Sequence, residues 1–200
     1  MDIPRYLQLL TLLSFHVFLK EKVDVAVYEP HMGGQDDATN VVSSPVVTAV
    51  TRIGEDHVKY LGPSIRDIAW HKAGIFKSGS PAILSPQIEK VAKVLEQRAK
   101  EKNVALLFVE PDSSLPVTRF QKENCSLAKE VAQTWLSLRQ PNRLTNLTTF
   151  ISRGIGLFDW PGRYQQIEEG NHKWFLDAAH NKSGLPTAIS WFAEMSKSQR

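Results

Sequence analysis

The chain has 200 residues, 42% of them hydrophobic, with 24 lysines and arginines against 21 aspartates and glutamates. That length and apolar content suffice for a buried core and exclude a disordered chain. The excess of three positive charges is spread along the sequence, not gathered into the blocks that bind nucleic acid or anionic lipid, and it suits a small acidic substrate.

In chain order, residues 1–19 place Tyr6, Leu9, Leu10, Leu13 and Val17 at roughly helical spacing, with Pro4 where a first turn tolerates it. Gln8, Thr11, Ser14 and His16 interrupt the apolar run, and no small-residue cleavage pattern follows before Lys20-Glu21-Lys22, so a secretory segment is not expected. A helix with one face packed on a sheet is. The sequons at Asn124, Asn146 and Asn181 are then coincidental, and Cys125, alone in the sequence, fits a reducing compartment.

Residues 23–29 alternate branched apolar side chains and end on Glu29-Pro30, which predicts a strand stopped where proline has no amide for the ladder. The glycines, paired aspartates and Ala-Thr-Asn of residues 31–40 have too little apolar surface to be buried. They predict a loop at the carboxyl end of that strand, where open α/β sheets hold ligands. Further short strands are expected at 46–50, 81–84 and 105–109, and Ser64 with Asp67 has the spacing of a helix start. Residues 88–102 predict an amphipathic helix, with Val91, Val94, Leu95 and Ala99 on one side and lysines on the other. Strand, loop and helix thus recur four times, the pattern of a doubly wound, mostly parallel α/β sheet covered on both faces.

Beyond Pro111 the pattern changes. A long helix is expected at 121–138 and an irregular polar stretch at 141–149, followed by an interdomain connection in the glycine- and aromatic-rich 154–162. A hairpin about Glu169-Gly170-Asn171 and a helix from about Leu185 complete the chain. The expected division is therefore a central unit at 1–153, a linker at 154–162 and the beginning of a second α/β domain at 163–200.

Taken singly, the polar residues have mild explanations: His57 a loop histidine, Lys72 a solvated lysine, Asp177 and His180 a cap and a surface ring. Position changes the weighing. Glu29, His57 and Asp177 each follow an expected strand, so one rim could gather oxygen and imidazole ligands for a hard cation and phosphates.

Five segments, Glu29 to Asn40, Ile53-Gly54-Glu55-Asp56-His57, the run from Ile68 to Lys77, Trp160-Pro161-Gly162-Arg163 and Leu176-Asp177-Ala178-Ala179-His180-Asn181, together resemble the folylpolyglutamate synthases of the Mur ligase superfamily in order and spacing. Gln121-x-x-Asn124 matches as well. The resemblance implies an ATP-dependent ligase that joins L-glutamate to the γ-carboxyl of a reduced folate through an acyl phosphate. It implies Glu29 and His57 as magnesium ligands and Lys72 as a catalytic carbamylated lysine facing the metal. It also implies that Asn124, Arg163, Asp177 and His180 bind ATP, and that K⁺ or another monovalent cation can assist.

The implied partners are small molecules, with no nucleic acid and no membrane, in a cytoplasmic or mitochondrial monomer. Two departures stand out, since His31 replaces a glycine of the family pattern and Gln35 an arginine. No G-x-x-x-x-G-K-[ST] phosphate loop occurs, which implies a truncated member, inactive by itself, with an exposed apolar face on residues 164–192. A silent paralogue that keeps the fold, or a dihydrofolate synthase-type ligase, are the alternative readings.

Overall fold

Three short aliphatic runs, Thr48–Val50 (β1), Ala82–Leu84 (β2) and Leu106–Phe108 (β3), pair in parallel with β2 in the middle. The computed structural model describes residues 3–143, 147–182 and 184–197. Thr48, Ala82 and Leu106 lie in one row and Val50, Leu84 and Phe108 in another. All three residues of β2 are buried, as a central parallel strand with both faces covered should be.

Alternation assigns the faces. Ala82 and Leu84 join a core with Val50, with Ile65, Ile68 and Ala69 of helix Ile65–Lys72 (α3), and with Val91, Leu95 and Ala99 of helix Glu89–Glu101 (α4). Ile83 points the other way, and helix Lys122–Arg139 (α5) packs there against β1 and β2. Both crossovers therefore lie on one face, and the chain changes face only after β3. A short helix, Val58–Leu61 (α2), precedes α3.

Local chemistry sets the helix ends. Ser64 caps α3: its hydroxyl accepts from the Asp67 amide, and the Asp67 carboxylate accepts from the Ser64 amide at 3.0 Å. Such a reciprocal cap contributes about 1 kcal/mol. Helix α4 carries its buried residues at 91, 95 and 99, one stripe four residues apart.

Four expectations are corrected. Residues 23–29 form no strand, with Val25 48% and Val27 86% exposed. A strand exists only by its ladder, and no described strand lies beside this segment. Among the described residues the sheet accordingly has three strands. The first helix, Tyr6–Glu21 (α1), forms, but Thr11 is its one buried residue. Its apolar side chains run all round it, and the faces of a three-stranded sheet are already occupied by α3, α4 and α5. It is held instead by Phe15 and Phe18 on the Tyr28 ring, at 4.9 and 5.6 Å between centroids. Finally, the stretch expected to be irregular turns helical at Leu147, and Leu147–Gly156 (α6) runs into the glycine-rich segment. Leu147, Phe150, Ile151 and Ile155 recur at helical spacing there. The sequon at Asn146 lies outside the described residues.

The hairpin is present as Gln165–Glu169 (β4) and His172–Leu176 (β5), antiparallel, with Ile167 opposite Trp174, and helix Gly184–Lys197 (α7) follows. Trp191 of α7 is buried between the rings of Tyr164 and Phe175. Ile167, Trp174, Leu176, Ile189 and Phe192 are exposed, as the sequence led one to expect of this part of the chain. Among the described residues no helix is long and apolar enough to cross a membrane.

Candidate active site

The glycine-rich loop is built around Asp37. One carboxylate oxygen accepts from the amide and hydroxyl of Thr39 at 2.9 and 2.7 Å, and the other from the amides of His31 and Met32 at 2.9 and 3.2 Å. Burial works to raise this carboxyl, but the donors from Thr39, Met32 and His31 outweigh it and hold it below the usual carboxylate range. Its folded value being depressed, the stabilisation is present above the unfolded value near 4 and lost as pH falls through the folded one. Asp37→Asn should therefore cost about 2 kcal/mol at pH 7 and less at acid pH. Equal losses at neutral and acid pH, measured by urea unfolding, would refute this account.

The loop docks on the carboxyl end of α3, which carries Lys72. The Gln35 amide donates to the His71 carbonyl at 2.8 Å, and the Asn40 side chain donates to the carbonyls of Gln35 and Gly74. Lys102 reaches over from just beyond α4 and donates to the carbonyls of Gly74 and Phe76 at 2.8 and 3.2 Å. Carbonyls that a helix end leaves unpaired are thus satisfied by loop and lysine. Gly74 allows the approach, because a Cβ there would lie 2.2 Å from Gln35 Cα.

At this junction Lys72 is half-buried. Burial pushes its amine below the ordinary lysine value, against the opposing pull of the Asp56 and Glu29 carboxylates. Glu29, from the segment before the glycine-rich loop, and Asp56, from the loop after β1, thus both act on one amine. His57 follows Asp56 in left-handed backbone at φ 52°, a conformation costly for a non-glycine residue and concentrated at functional sites. Its amide donates to Asp56 Oδ1 at 2.8 Å, and its Nδ1 lies 4.0 Å from the same oxygen.

Asp56 is the residue that sequence reasoning left without a role. Its Oδ2 accepts from Asn181 at 3.2 Å and lies 3.7 Å from His180 Nε2, so it ties the loop after β1 to the segment after β5. Its carboxyl is lowered although burial works to raise it, because Asn181, the His57 amide and the two imidazoles favour the anion. The one signal in the sequence was its place directly before His57. No local pattern could announce a partner 125 positions away.

The remaining candidates are distributed around this group. Both oxygens of Asp177 accept backbone amides, from Tyr164 at 3.0 Å and Ala179 at 2.8 Å, stapling the start of the hairpin to its end. His180 Nδ1 lies 2.9 Å from the Ala178 carbonyl. Asn124 is exposed in the first turn of α5, beside Glu123, whose carboxylate holds Arg52 from the end of β1 at 2.6 Å. Arg163 is exposed in the turn before β4. No hydrogen bond or ion pair among the described residues joins Asn124 or Arg163 to Lys72. Gln35, where the family pattern has arginine, accepts from Arg98 of α4 at 2.9 Å, so a cation still reaches that corner.

No protein-family profile matches the chain. It is 42% identical over 200 residues to the folylpolyglutamate synthase of Neurospora crassa, a match covering 96% of this chain and 38% of that protein. To the mitochondrial folylpolyglutamate synthase of Bos taurus it is 36% identical over 222 residues, with the same shares. Among solved structures, the apo form of L. casei FPGS superposes with a TM-score of 0.85 at 26% identity, over 96% of this chain and 52% of that one. An FPGS-AMPPCP-folate complex superposes at 0.83 with 27% identity, over 93% and 51%. The chain thus spans well under half the length of the curated relatives it matches. Motif order, sequence identity along nearly the whole chain and a shared α/β fold together relate it to the folylpolyglutamate synthases across the part of those proteins that it spans.

Proposed function

We propose that the chain carries the lysine- and metal-bearing part of an ATP-dependent ligase that adds L-glutamate to the γ-carboxyl of tetrahydrofolate and its polyglutamates. The reading rests on one observation above the others: a half-buried lysine, its pKa lowered, under the pull of two carboxylates, one of which is bonded to a strained histidine. The relative solved with AMPPCP and folate supports the choice of substrates.

ATP with Mg²⁺, when bound, supplies the phosphoryl group that activates the folate carboxylate. Glu29 and His57 offer the oxygen and imidazole donors for the metal. Among the described residues no three acidic, histidine or cysteine side chains gather as a metal centre. Magnesium keeps several waters and shares its ligands with phosphates. The lowered pKa of Lys72 leaves more of it as free amine, whose lone pair can add to CO₂. The N–C bond forms, a proton leaves to solvent, and the neutral amine becomes an anionic carbamate that would be available to a bound cation.

Asp56 then holds His57 and the His180-Asn181 segment in place. Asp177 keeps lone pairs beyond its two amides for ribose hydroxyls, Arg163 is free to meet phosphate, and Asn124 and His180 complete the nucleotide side. Residues 1–153 form the central unit in this reading, and 163–200 the start of a second domain. The mitochondrial relative makes that compartment as suitable as the cytosol.

The test is a chimera in which residues 3–197 replace the matching segment of the Neurospora crassa relative. It should release ADP only with both tetrahydrofolate and glutamate present. A folded chimera that releases none would refute the proposal.

A further inference from the structure

On the side of the helix layer turned away from Lys72, a groove of about 430 Å³ runs between α3 and α4, within the size range of small-molecule sites. Arg66 and Trp70 of α3 form one wall, and Lys90, Lys93 and Arg98 of α4 the other. Trp70 is 41% exposed, and the Arg98 guanidinium lies over its ring at 4.3 Å, so the indole is fixed while much of it faces water. Arg98 itself is held from behind by Gln35 and at the groove end by Glu101 at 3.0 Å. Four cations therefore line the groove against the single carboxylate of Glu101, which Arg98 already occupies. Lys93 is paired with Glu89 at 2.6 Å, whereas Arg66 and Lys90 have no carboxylate partner among the described residues.

We infer that this groove binds a planar aromatic ring bearing a chain of carboxylates, with the ring against Trp70 and the carboxylates along Arg66, Lys90 and Lys93. Lys90 and Lys93 are one helical turn apart, about 4.5 Å along α4, and Arg66 faces them from the other helix. Charges set out in a row suit singly charged groups spaced along a chain better than the concentrated charge of a polyphosphate. The identity of the ligand, a folate with its glutamate tail, rests on the function proposed above; the shape and charge of the groove do not.

The experiment is equilibrium dialysis of the 200-residue chain at low salt, without ATP, using folic acid and folic acid carrying three further γ-linked glutamates. The longer tail should bind at least 10-fold more tightly, and added salt should weaken it more. Lys90→Glu with Lys93→Glu should weaken the tailed ligand at least 10-fold at an unchanged melting temperature, and Trp70→Ala should weaken both ligands. Lys72→Met should change neither. Binding that ignores the charge reversals, that is lost in Lys72→Met instead, or that ADP displaces as readily as the tailed folate does would overturn the assignment. Since no turnover is measured, an inactive chimera leaves this result standing, and an active one does not supply it.

Discussion

Lys72→Arg, introduced into the chimera, should lower folate- and glutamate-dependent ADP release by at least about 10²- to 10³-fold, the scale on which loss of one placed charge-stabilising group acts. Arginine keeps the positive charge beside Glu29 and Asp56, so the fold should melt close to the parent. What it loses is nucleophilicity. A guanidinium stays protonated at any working pH and has no free amine lone pair to add to CO₂, whereas burial has already moved the lysine toward its neutral form. The measurement has two arms, turnover and the ¹³C signal of a lysine carbamate in labelled bicarbonate. Near-normal turnover in the variant would remove Lys72 from the chemistry, and a carbamate signal surviving the substitution would place the modification elsewhere.

The second large effect is structural. Gly74→Ala should cost about 4 kcal/mol or more, since its Cβ would lie 2.2 Å from Gln35 Cα and 2.4 Å from Gln35 N, where backbone and not a movable side chain must yield. Separation of the two segments would also break the Asn40 and Lys102 hydrogen bonds to the Gly74 carbonyl. Gly79→Ala is the control. Gly79 has a positive φ of 80° with nothing within 4 Å, so only the backbone strain of about 1–2 kcal/mol applies. Urea midpoints that rank the two substitutions the other way would show that the loop does not rest on Gly74.

Both predictions concern the junction of the 31–40 loop with α3, and the two sides of that junction were unequally legible beforehand. The start of α3 was announced by Ser64 and Asp67, a local chemistry. The loop was recognisable from composition, and its place at the site from its motif. The strand expected to lead into it was not borne out. Alternating valines at 23, 25 and 27 satisfy the strand pattern as well as any segment here, but pairing belongs to two segments at once and a single-segment pattern carries half the information. α1 failed in the opposite sense: its periodicity gave the helix, while apolar residues all round it gave no indication of which face packs. For α6, Leu147, Phe150, Ile151 and Ile155 were available in the sequence, but the neighbouring glycines and prolines masked their spacing.

By itself the sequence determined the cap at Ser64, the stripe of α4 and the hairpin turn, where hydrogen bonds close within a few residues, and it marked the apolar runs of the three short strands and the order of the family motifs. Tertiary structure alone decided that Asp56 joins His57 to His180 and Asn181, that Arg98 reaches Gln35 while lying over Trp70, and that Lys102 takes the carbonyls beyond α3. The physical reason is the range of the forces. Backbone hydrogen bonds in turns and helices act between neighbours, so residue type at fixed spacing records them. A charge answers to whatever folding brings within a few ångströms, however far away in the chain it lies.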